Sequence, residues 1–172
     1  MQIGSVVFCL LNFSILIILK MKLLIAGAGF IVQDWLQITK DLSKVELTGI
    51  AGTENDLTTM KELAKQYNIQ NIYTDYATAL RETNADTVYV AVPNFLHYSF
   101  VKQALLANKN VICEKPFTVK YDEFKKLKQL ALEKDLILAE AITNQYLTNY
   151  QGLKDKLPDL GLIRIVSMNY SQ

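Results

Sequence analysis

A carboxylate, an ammonium and a proline follow one another in the stretch NVICEKPF, residues 110–117. The apolar residues before them predict a buried strand, and a charged pair at the end of such a strand carries a desolvation cost that a purely structural strand avoids. Lys115 has the chemistry to stabilise a developing alkoxide or to polarise a carbonyl. Glu114 is placed to orient that ammonium, and Pro116 fixes the φ angle directly after it. Cys113 is interpreted as a small core residue rather than as a nucleophile.

A glycine-rich turn, GAGFIV at residues 27–32, is the second chemical signal. Gly27 permits a tight turn, and Gly29 lets backbone amides approach a pyrophosphate at a helix N-terminus. A short G-x-G is weak by itself, but this one follows a predicted strand and opens a predicted helix, as a dinucleotide-binding fingerprint does. Val32 occupies the third glycine position, which predicts a slight shift of the helix. The turn supplies four predicted cofactor-binding residues: Gly27, Gly29, Phe30 and Ile31.

The end of the second predicted strand bears on the choice of cofactor. The fingerprint expects a carboxylate there, where it binds ribose hydroxyls, but the chain reads IAGTEND at residues 50–56, with Gly52 in the acid's place. Thr53 has a hydroxyl for a ribose hydroxyl or a 2′-phosphate, no arginine follows to pair with a phosphate, and Glu54 or Asp56 can reach the ribose from the loop. Gly52 and Thr53 are therefore predicted to bind NAD or NADP, with a slight lean towards tolerance of NADP.

A third loop follows the apolar strand in TVYVAVPNFLHYSF, residues 87–100. Loops at the carboxyl ends of parallel strands bind ligands. Pro93 starts this loop, and Asn94 and His97 lie on it or in the next helical turn, where both can point towards the nicotinamide end of a cofactor. Asn94 has a structural alternative as a helix cap, and a lone histidine is often structural. The position of His97 at a strand's carboxyl end favours the binding role.

These motifs need a scaffold that brings the ends of several strands together. From Met21 onward, short apolar runs alternate with amphipathic stretches, which predicts βαβ units. Strands are predicted at residues 22–26, 45–51, 72–73, 87–92, 111–114 and 136–141. Helices are predicted at residues 30–42, 56–68 and 121–134. The predicted fold class is α/β, a Rossmann-like parallel sheet with helices on both faces.

The composition is that of a globular protein with a sizeable core. Apolar residues make up 51% of the 172 residues, charged residues 20%, and the net charge is +1, which argues against nucleic-acid binding, a basic membrane patch and disorder. The expected partners are small molecules. One histidine and two cysteines cannot supply the usual ligands of a structural zinc site. We predict no metal, no disulfide framework and a cytoplasmic location with reduced thiols.

The first twenty residues, MQIGSVVFCLLNFSILIILK, contain no charged side chain before Lys20. This length reaches the lower limit for a membrane span, but a predicted strand follows at once and leaves no linker for an anchor. Neither the basic n-region nor the cleavage site of a secretory signal is visible. The preferred interpretation is that Met21 is the real start and that the preceding segment is upstream sequence translated in error. An anchor and a signal are the alternatives, with the anchor ahead.

Four segments in combination resemble the glucose-fructose oxidoreductase and inositol dehydrogenase family, called Gfo/Idh/MocA: MKLLIAGAGFI, DTVYVAVPNFLH, NVICEKPF and LILAEAITNQY. They stand in the family's order and spacing from Met21 to the end of the chain. The resemblance implies that Lys115 contacts both substrate and nicotinamide. It also implies a cofactor cleft lined by Gly27, Gly29, Asn94, His97, Glu114 and Glu140. The family often has an arginine beyond Glu140, whereas AITNQYLTNY leaves contacts there to Asn144 or Tyr146.

The resemblance implies a second, mostly antiparallel domain, which in the family carries much of the substrate pocket and an aspartate and histidine pair for proton transfer. GLIRIVSMNYSQ, residues 161–172, resembles the first strand of that domain. The expected organisation has three parts. They are an apolar extension at residues 1–20, a dinucleotide-binding domain at residues 21–142, and a connecting helix with the start of a truncated substrate domain at residues 143–172.

The implied function is that of an NAD(P)-dependent oxidoreductase, which moves hydride between a nicotinamide cofactor and a carbinol of a sugar, polyol or related compound. Full-length relatives are expected to be homo-oligomers, and this chain alone is expected to bind cofactor without a complete catalytic site. A non-catalytic dinucleotide-binding redox sensor is an alternative, and a membrane-anchored redox subunit is another, supported only by the first twenty residues. Lys115 favours the enzyme, because a sensor needs no ammonium at the nicotinamide end.

Overall fold

A parallel sheet forms the centre of the computed structural model, which describes residues 20–39 and 43–167. Within these residues the strands are β1 (Met21–Ala26), β2 (Val45–Ala51), β3 (Asn71–Tyr73), β4 (Thr87–Val90), β5 (Asn110–Cys113) and β6 (Leu138–Glu140). Their order in the sheet is β3-β2-β1-β4-β5-β6, and every neighbouring pair is parallel. The strand order reverses between β1 and β4, and such a switch point is where open α/β sheets bind ligands.

Five helices connect the strands of this described part: α1 (Phe30–Thr39), α2 (Leu57–Tyr67), α3 (Tyr76–Glu82), α4 (His97–Leu106) and α5 (Tyr121–Glu133). Short 3-10 turns at Glu54–Asp56 and Asn94–Leu96 lead into α2 and α4. A further helix, α6 (Thr148–Lys156), belongs to a separate compact unit, Ala141–Gln172. The six-stranded parallel sheet with its helices confirms the predicted α/β, Rossmann-like fold class.

Both faces of the sheet are buried, because alternate residues of β1 enter two different cores. Leu24 and Ala26 pack in the core formed with α3, α4 and α5, whereas Leu23 and Ile25 pack in the core formed with α1 and α2. All four side chains are fully buried. Burying one leucine or isoleucine side chain contributes roughly 1.5–3 kcal/mol, so the central strand is held firmly from both sides. Val32 is also fully buried, on the α1 side.

The pairing of β1 with β2 contains one irregularity. Leu23 pairs with Leu47. The next residue of β1, Leu24, pairs with Gly49, which leaves Thr48 as an extra residue on β2. The buried hydroxyl of Thr48 donates a hydrogen bond to the Leu23 carbonyl oxygen over 3.1 Å. This β-bulge is therefore a satisfied, fixed part of the sheet rather than a defect.

The predicted elements occur in the predicted order, and the differences lie at their ends. The fourth strand ends at Val90 instead of residue 92, because the neighbouring strands β1 and β5 end at Ala26 and Cys113, the two partners of Val90. The edge strand β6 has three residues instead of the six predicted. The strand predicted at residues 161–172 is not formed in its described portion: residues 161–167 pair with no strand among the described residues. A strand needs a neighbour for its backbone groups, and this segment has none there.

Most of the apolar N-terminal extension lies outside the described residues, which begin at Lys20. The interpretations of that segment as a misread start, an anchor or a signal are therefore not addressed by the structure. The last three residues of the first predicted helix, 40–42, lie outside as well. Among the residues described, no helix has both the length and the apolar character needed to cross a bilayer.

Candidate functional site

The turn after β1 requires glycine at its first position. Gly27 has a φ angle of +119°, and a Cβ atom placed on it would lie 2.3 Å from the Ala91 carbonyl oxygen. The Gly27 N–H donates to the Ala51 carbonyl oxygen at the end of β2 over 2.8 Å. Positive φ and close backbone approach are the two conditions that favour glycine over every other residue. Gly27 therefore ties the turn into the centre of the sheet.

The second glycine of the turn faces open space. Among the residues that the structure describes, and apart from Gly29 and its neighbours along the chain, no heavy atom lies within 4 Å of the position that a Cβ on Gly29 would occupy. α1 starts at the next residue, and the carbonyl of Gly29 accepts hydrogen bonds from Val32 and Gln33 N–H groups. The side chains of Phe30 and Ile31 are 75% and 40% exposed, so the first amides of α1 lie at the surface. Amides without intrahelical acceptors beside an open glycine suit a pyrophosphate.

The end of β2 holds a carboxylate, although not at the position that the fingerprint expects. A Cβ on Gly52 would lie 3.0 Å from the Met60 sulfur and 3.1 Å from Asp56 Oδ2, which leaves little room for a larger side chain there. Asp56 folds back instead, and its Oδ2 accepts hydrogen bonds from the hydroxyl and the N–H of Thr53 over 2.7 and 2.8 Å. These bonds, the hydroxyl's first, hold the pKa of the Asp56 carboxyl below its usual value.

The loop after β4 exposes the predicted residues Pro93 and Asn94. Pro93 occupies the N-cap position of the 3-10 turn and Leu96 that of α4. Asn94 therefore caps neither element, and the structural alternative considered for it does not apply. Because the loop follows the carboxyl end of β4, the Asn94 amide lies at the same sheet edge as the Gly27 turn.

His97 is placed differently from expectation. Its side chain is fully buried, with Nδ1 2.9 Å from the Pro116 carbonyl oxygen and Nε2 2.9 Å from the Val92 carbonyl oxygen. The predicted orientation towards the nicotinamide end is therefore wrong for this structure. Buried polar atoms require partners, and the two backbone carbonyls provide them on the inner side of the loops. His97 therefore holds the loops on either side of the site through their backbone carbonyls instead of facing the cofactor.

The loop that carries Lys115 is fastened by both neighbouring carboxylates. Glu114 Oε1 accepts a hydrogen bond from the Tyr89 hydroxyl over 2.8 Å, and Glu114 Oε2 accepts a longer one from the Lys115 N–H over 3.3 Å. The Phe117 N–H donates to Glu140 Oε1 over 2.9 Å. With the His97 contact at Pro116, residues 114–117 are tied to β4, α4 and β6. The loop is therefore well defined by several elements at once.

The Lys115 ammonium itself is exposed and forms no ion pair among the residues that the structure describes. The expectation that Glu114 orients the ammonium is corrected: the contact of Glu114 is with the Lys115 backbone, and its other oxygen is occupied by Tyr89. Exposure lets the long side chain remain solvated while its backbone is fixed. The ammonium is thus available to a substrate oxygen.

Two titratable groups near the loop stay protonated because they are buried. Burial, together with the hydrogen bond to Glu114, raises the pKa of the Tyr89 phenol, which therefore remains a hydrogen-bond donor. Burial raises the pKa of the Cys113 thiol to about 12, and its side chain is fully buried. A thiol of this kind is not nucleophilic at neutral pH, in agreement with the interpretation of Cys113 as a core residue.

Sequence reasoning missed Tyr89. Its ring packs against Trp35 of α1, with centroids 4.8 Å apart, while its hydroxyl reaches Glu114. The available signal is an aromatic residue with a polar tip in the otherwise apolar β4, which calls for a buried acceptor. That signal does not identify the acceptor, because Glu114 lies 25 residues further along the chain. Glu140 was predicted, but as a cleft residue rather than as a fastening of the loop.

The arrangement of loops corresponds to a known family. Residues 21–142 match the family model GFO_IDH_MocA, described as an oxidoreductase family with an NAD-binding Rossmann fold. The chain belongs to this family. The resemblance stated from the four sequence segments is thus confirmed, and the matched residues contain the whole sheet and all five helices described around it.

Individual Gfo/Idh/MocA proteins show the extent of the similarity. The trans-1,2-dihydrobenzene-1,2-diol dehydrogenase of Sus scrofa is 29% identical, over 86% of this chain and 45% of that protein. The scyllo-inositol 2-dehydrogenase (NADP(+)) of Bacillus subtilis is 27% identical, over 86% and 44%. A crystal structure of scyllo-inositol dehydrogenase from Lactobacillus casei with NAD(H) and scyllo-inositol has a TM-score of 0.75 at 17% identity, over 81% and 41%; this likeness shows the fold. The chain spans less than half the length of these relatives.

A nicotinamide dinucleotide fits the residues present. NAD is the cofactor of the family by its description, and the solved neighbours include complexes with NAD(H) and with NADP. The open space at Gly29 and the exposed first turn of α1 suit the pyrophosphate, and the carboxylate of Asp56 lies beside Gly52, the position at which the fingerprint expects the acid for ribose hydroxyls. The chain therefore contains the NAD(P)-binding domain of an oxidoreductase homologous to sugar and polyol dehydrogenases.

Proposed function

We propose that this chain is the cofactor-binding part of an enzyme that transfers hydride between NAD(P) and a carbinol carbon of a sugar, polyol or related compound. The observation that carries the proposal is the loop at residues 114–117, which is held by several hydrogen bonds and presents the Lys115 ammonium, without an ion pair to any described residue, at the same sheet edge as the Gly27 turn. A domain that only binds dinucleotide needs no ammonium at the nicotinamide end.

The cofactor, when bound, supplies the nicotinamide carbon that accepts or donates hydride. The Lys115 ammonium binds the substrate oxygen: it stabilises the developing alkoxide during oxidation and polarises the carbonyl during reduction. Glu114 and Tyr89 hold the backbone under the ammonium. The amide of Asn94, exposed on the neighbouring loop, hydrogen-bonds the nicotinamide end. Gly29, Phe30, Ile31, Gly52 and Thr53 serve the adenosine and pyrophosphate end, and Gly27 contributes by shaping the turn that presents them.

The 172-residue chain is expected to bind NADH but to turn over no polyol at a measurable rate. Glu114, Glu140 and His97, the acid–base groups nearest to Lys115 along these loops, are engaged in holding the loop. The chain is therefore expected to lack positioned proton transfer, which contributes about 10²–10⁴ in rate. Calorimetric titration with NADH and NADPH tests binding. An assay of sugars, inositols and hydroxy acids tests turnover. Robust turnover that is lost in Lys115→Met would contradict the expectation that this chain binds cofactor without a complete catalytic site.

Lys115→Met is expected to change the NADH affinity by less than about fivefold, because an exposed charge contributes at most about 1 kcal/mol. The substitution is expected to slow the hydride-transfer step instead. In any form of the protein that oxidises a polyol, we expect kcat to drop about 10²–10³-fold, which is the loss associated with removal of one electrostatic donor. Lys102→Met, which removes an exposed lysine on α4, is the matched control. Equal rates for the two variants would remove Lys115 from the mechanism.

Cofactor choice is expected to favour NAD over NADP. The ionised Asp56 lies against Thr53, and residues 52–60 contain no lysine or arginine. A 2′-phosphate there meets a negative charge, and like charges 4 Å apart repel by about 1 kcal/mol even in bulk water. This reverses the slight lean towards NADP. Asp56→Asn should lower the ratio of NADH to NADPH affinity about fivefold, measured by fluorescence titration, whereas Glu62→Gln on the exposed side of α2 should leave the ratio unchanged.

A further inference from the structure

One buried side chain connects the two loops that flank the nicotinamide end of the proposed site. His97 begins α4, and its ring lies between the carbonyl oxygen of Val92, just beyond β4, and that of Pro116, in the loop after β5. Both nitrogen–oxygen distances are 2.9 Å. The ring is fully buried, so water does not compete for either contact. Asn94 lies on the first of these loops and Lys115 on the second.

The imidazole sets the separation of the two carbonyls because it is rigid and anchored. α4 packs into the core beside β4 and β5 through Val101, Ala104 and Leu105, all fully buried, so the ring cannot move without disturbing this packing. A neutral imidazole has one N–H and donates to one carbonyl, and a doubly protonated ring donates to both. In each form, a shorter or apolar side chain would leave buried carbonyl oxygens unsatisfied, and the loops would move to find water.

We propose that His97 is a positioning residue for Lys115: by holding the Pro116 carbonyl to the end of β4, it fixes the gap between Asn94 and Lys115 in which the nicotinamide is held. The inference rests on the proposed function, in which this gap receives the nicotinamide. The role of His97 is limited to the nicotinamide end of the site. The adenosine and pyrophosphate end is bound across the switch point by the loops after β1 and β2, and those loops have no contact with His97 among its hydrogen bonds.

The test compares two ligands that differ at one end, NADH and ADP-ribose, which lacks the nicotinamide. Their affinities for the full 172-residue chain are measured by calorimetry for the parent, His97→Leu and His97→Gln. We expect His97→Leu to reduce the preference for NADH over ADP-ribose about fivefold, the weight of one or two hydrogen bonds, with ADP-ribose affinity retained. His97→Gln, which keeps a donor, should restore part of the preference. Tyr76→Phe is the control, because it removes a buried hydrogen bond to the Phe100 carbonyl of α4 without touching either loop.

Amide hydrogen exchange supplies a readout that does not depend on ligand. The Lys115 and Phe117 amides should exchange faster in His97→Leu than in the parent, while the amides of β1 keep their protection. If His97→Leu fails to fold, NMR of the unsubstituted chain still tests whether His97 makes both contacts. His97 is the only histidine, so its ring nitrogens give a single pair of NMR signals. We expect a ring N–H that is shielded from solvent exchange. Free exchange at both ring nitrogens would show that His97 does not hold the Val92 and Pro116 carbonyls together.

The outcomes separate this inference from the proposed function. Binding of NADH and ADP-ribose with an unchanged preference and unchanged loop exchange in His97→Leu would overturn the positioning role and leave the cofactor site intact. A uniform loss of affinity for both ligands would also overturn it, because that is the result of general destabilisation. If the parent binds neither ligand, or prefers neither, the proposed site fails, and hydrogen exchange at residues 114–117 alone decides whether His97 holds the loop.

Discussion

Gly29→Val is expected to reduce NADH affinity at least about 100-fold, a loss of about 2.7 kcal/mol, while the chain stays folded. Apart from Gly29 itself and its neighbours along the chain, no described atom lies within 4 Å of the position of the new Cβ, and the φ angle of Gly29 is not in the left-handed region. The valine therefore meets no obstacle in the described part of the chain. It fills the space that lets backbone amides approach a pyrophosphate. The effect on affinity is therefore large and the effect on stability small.

Fluorescence titration with NADH, together with a thermal melt, measures both quantities on the same sample. Gly29→Ala should be intermediate, because a methyl group fills less of the space. Gly152→Val in α6 is the matched control, since a Cβ there also meets nothing within 4 Å and the residue is not part of the turn. Parental NADH affinity in Gly29→Val would show that the pyrophosphate does not bind at this turn.

Gly27→Ala is expected to have the opposite profile, with a loss of more than about 3 kcal/mol in the free energy of unfolding. The new methyl group would lie 2.3 Å from a backbone oxygen, that of Ala91, and the φ angle of +119° is strained for any L side chain. Neither partner can relieve the contact cheaply, because the Ala91 N–H donates to Ala26 and the Gly27 N–H to Ala51. Domains of this size are stable by only about 5–15 kcal/mol.

Urea unfolding followed by circular dichroism measures this loss, and Gly29→Ala provides the comparison two residues away. Cofactor binding by Gly27→Ala should fall only in proportion to the fraction unfolded. An unchanged urea midpoint would mean that the turn moves away from Ala91 without cost. The two glycines of one short motif thus separate by experiment: the first is needed by the fold and the second by the ligand.

The sequence was sufficient for the sheet and for the loops that meet at its edge, because these depend on local signals. β1 is apolar from Leu23 to Ala26, and Gly27 follows it directly, so the turn and its place in the fold are predicted together. Lys115 is likewise found at the end of an apolar strand. Parallel pairing then brings the carboxyl ends of β1, β4 and β5 to one edge, whatever the details of the loops.

The directions of individual side chains were not available from the sequence, because distant residues decide them. His97 points inward since two carbonyls, five residues before and 19 residues after it, form its acceptors. Glu114 turns to Tyr89 instead of to the neighbouring ammonium. The acid at the end of β2 was sought at Gly52, whereas the 3-10 turn carries Asp56 back to that place. Each case depends on a tertiary contact that no periodicity encodes.

The bulge at Thr48 absorbs one residue of β2 without changing which residues of the two strands are paired beyond it. Deleting Thr48 would bring β1 and β2 into regular pairing, and Gly49, Ile50 and Ala51 would keep their partners in β1 and their faces of the sheet. The hydrogen bond from the Thr48 hydroxyl to the Leu23 carbonyl oxygen would be lost, but the end of β2 would stay level with the Gly27 turn. Homologues that differ by one residue at this point of β2 can therefore keep the same alignment between the loop after β2 and the Gly27 turn, so a single-residue gap here does not by itself indicate a changed site.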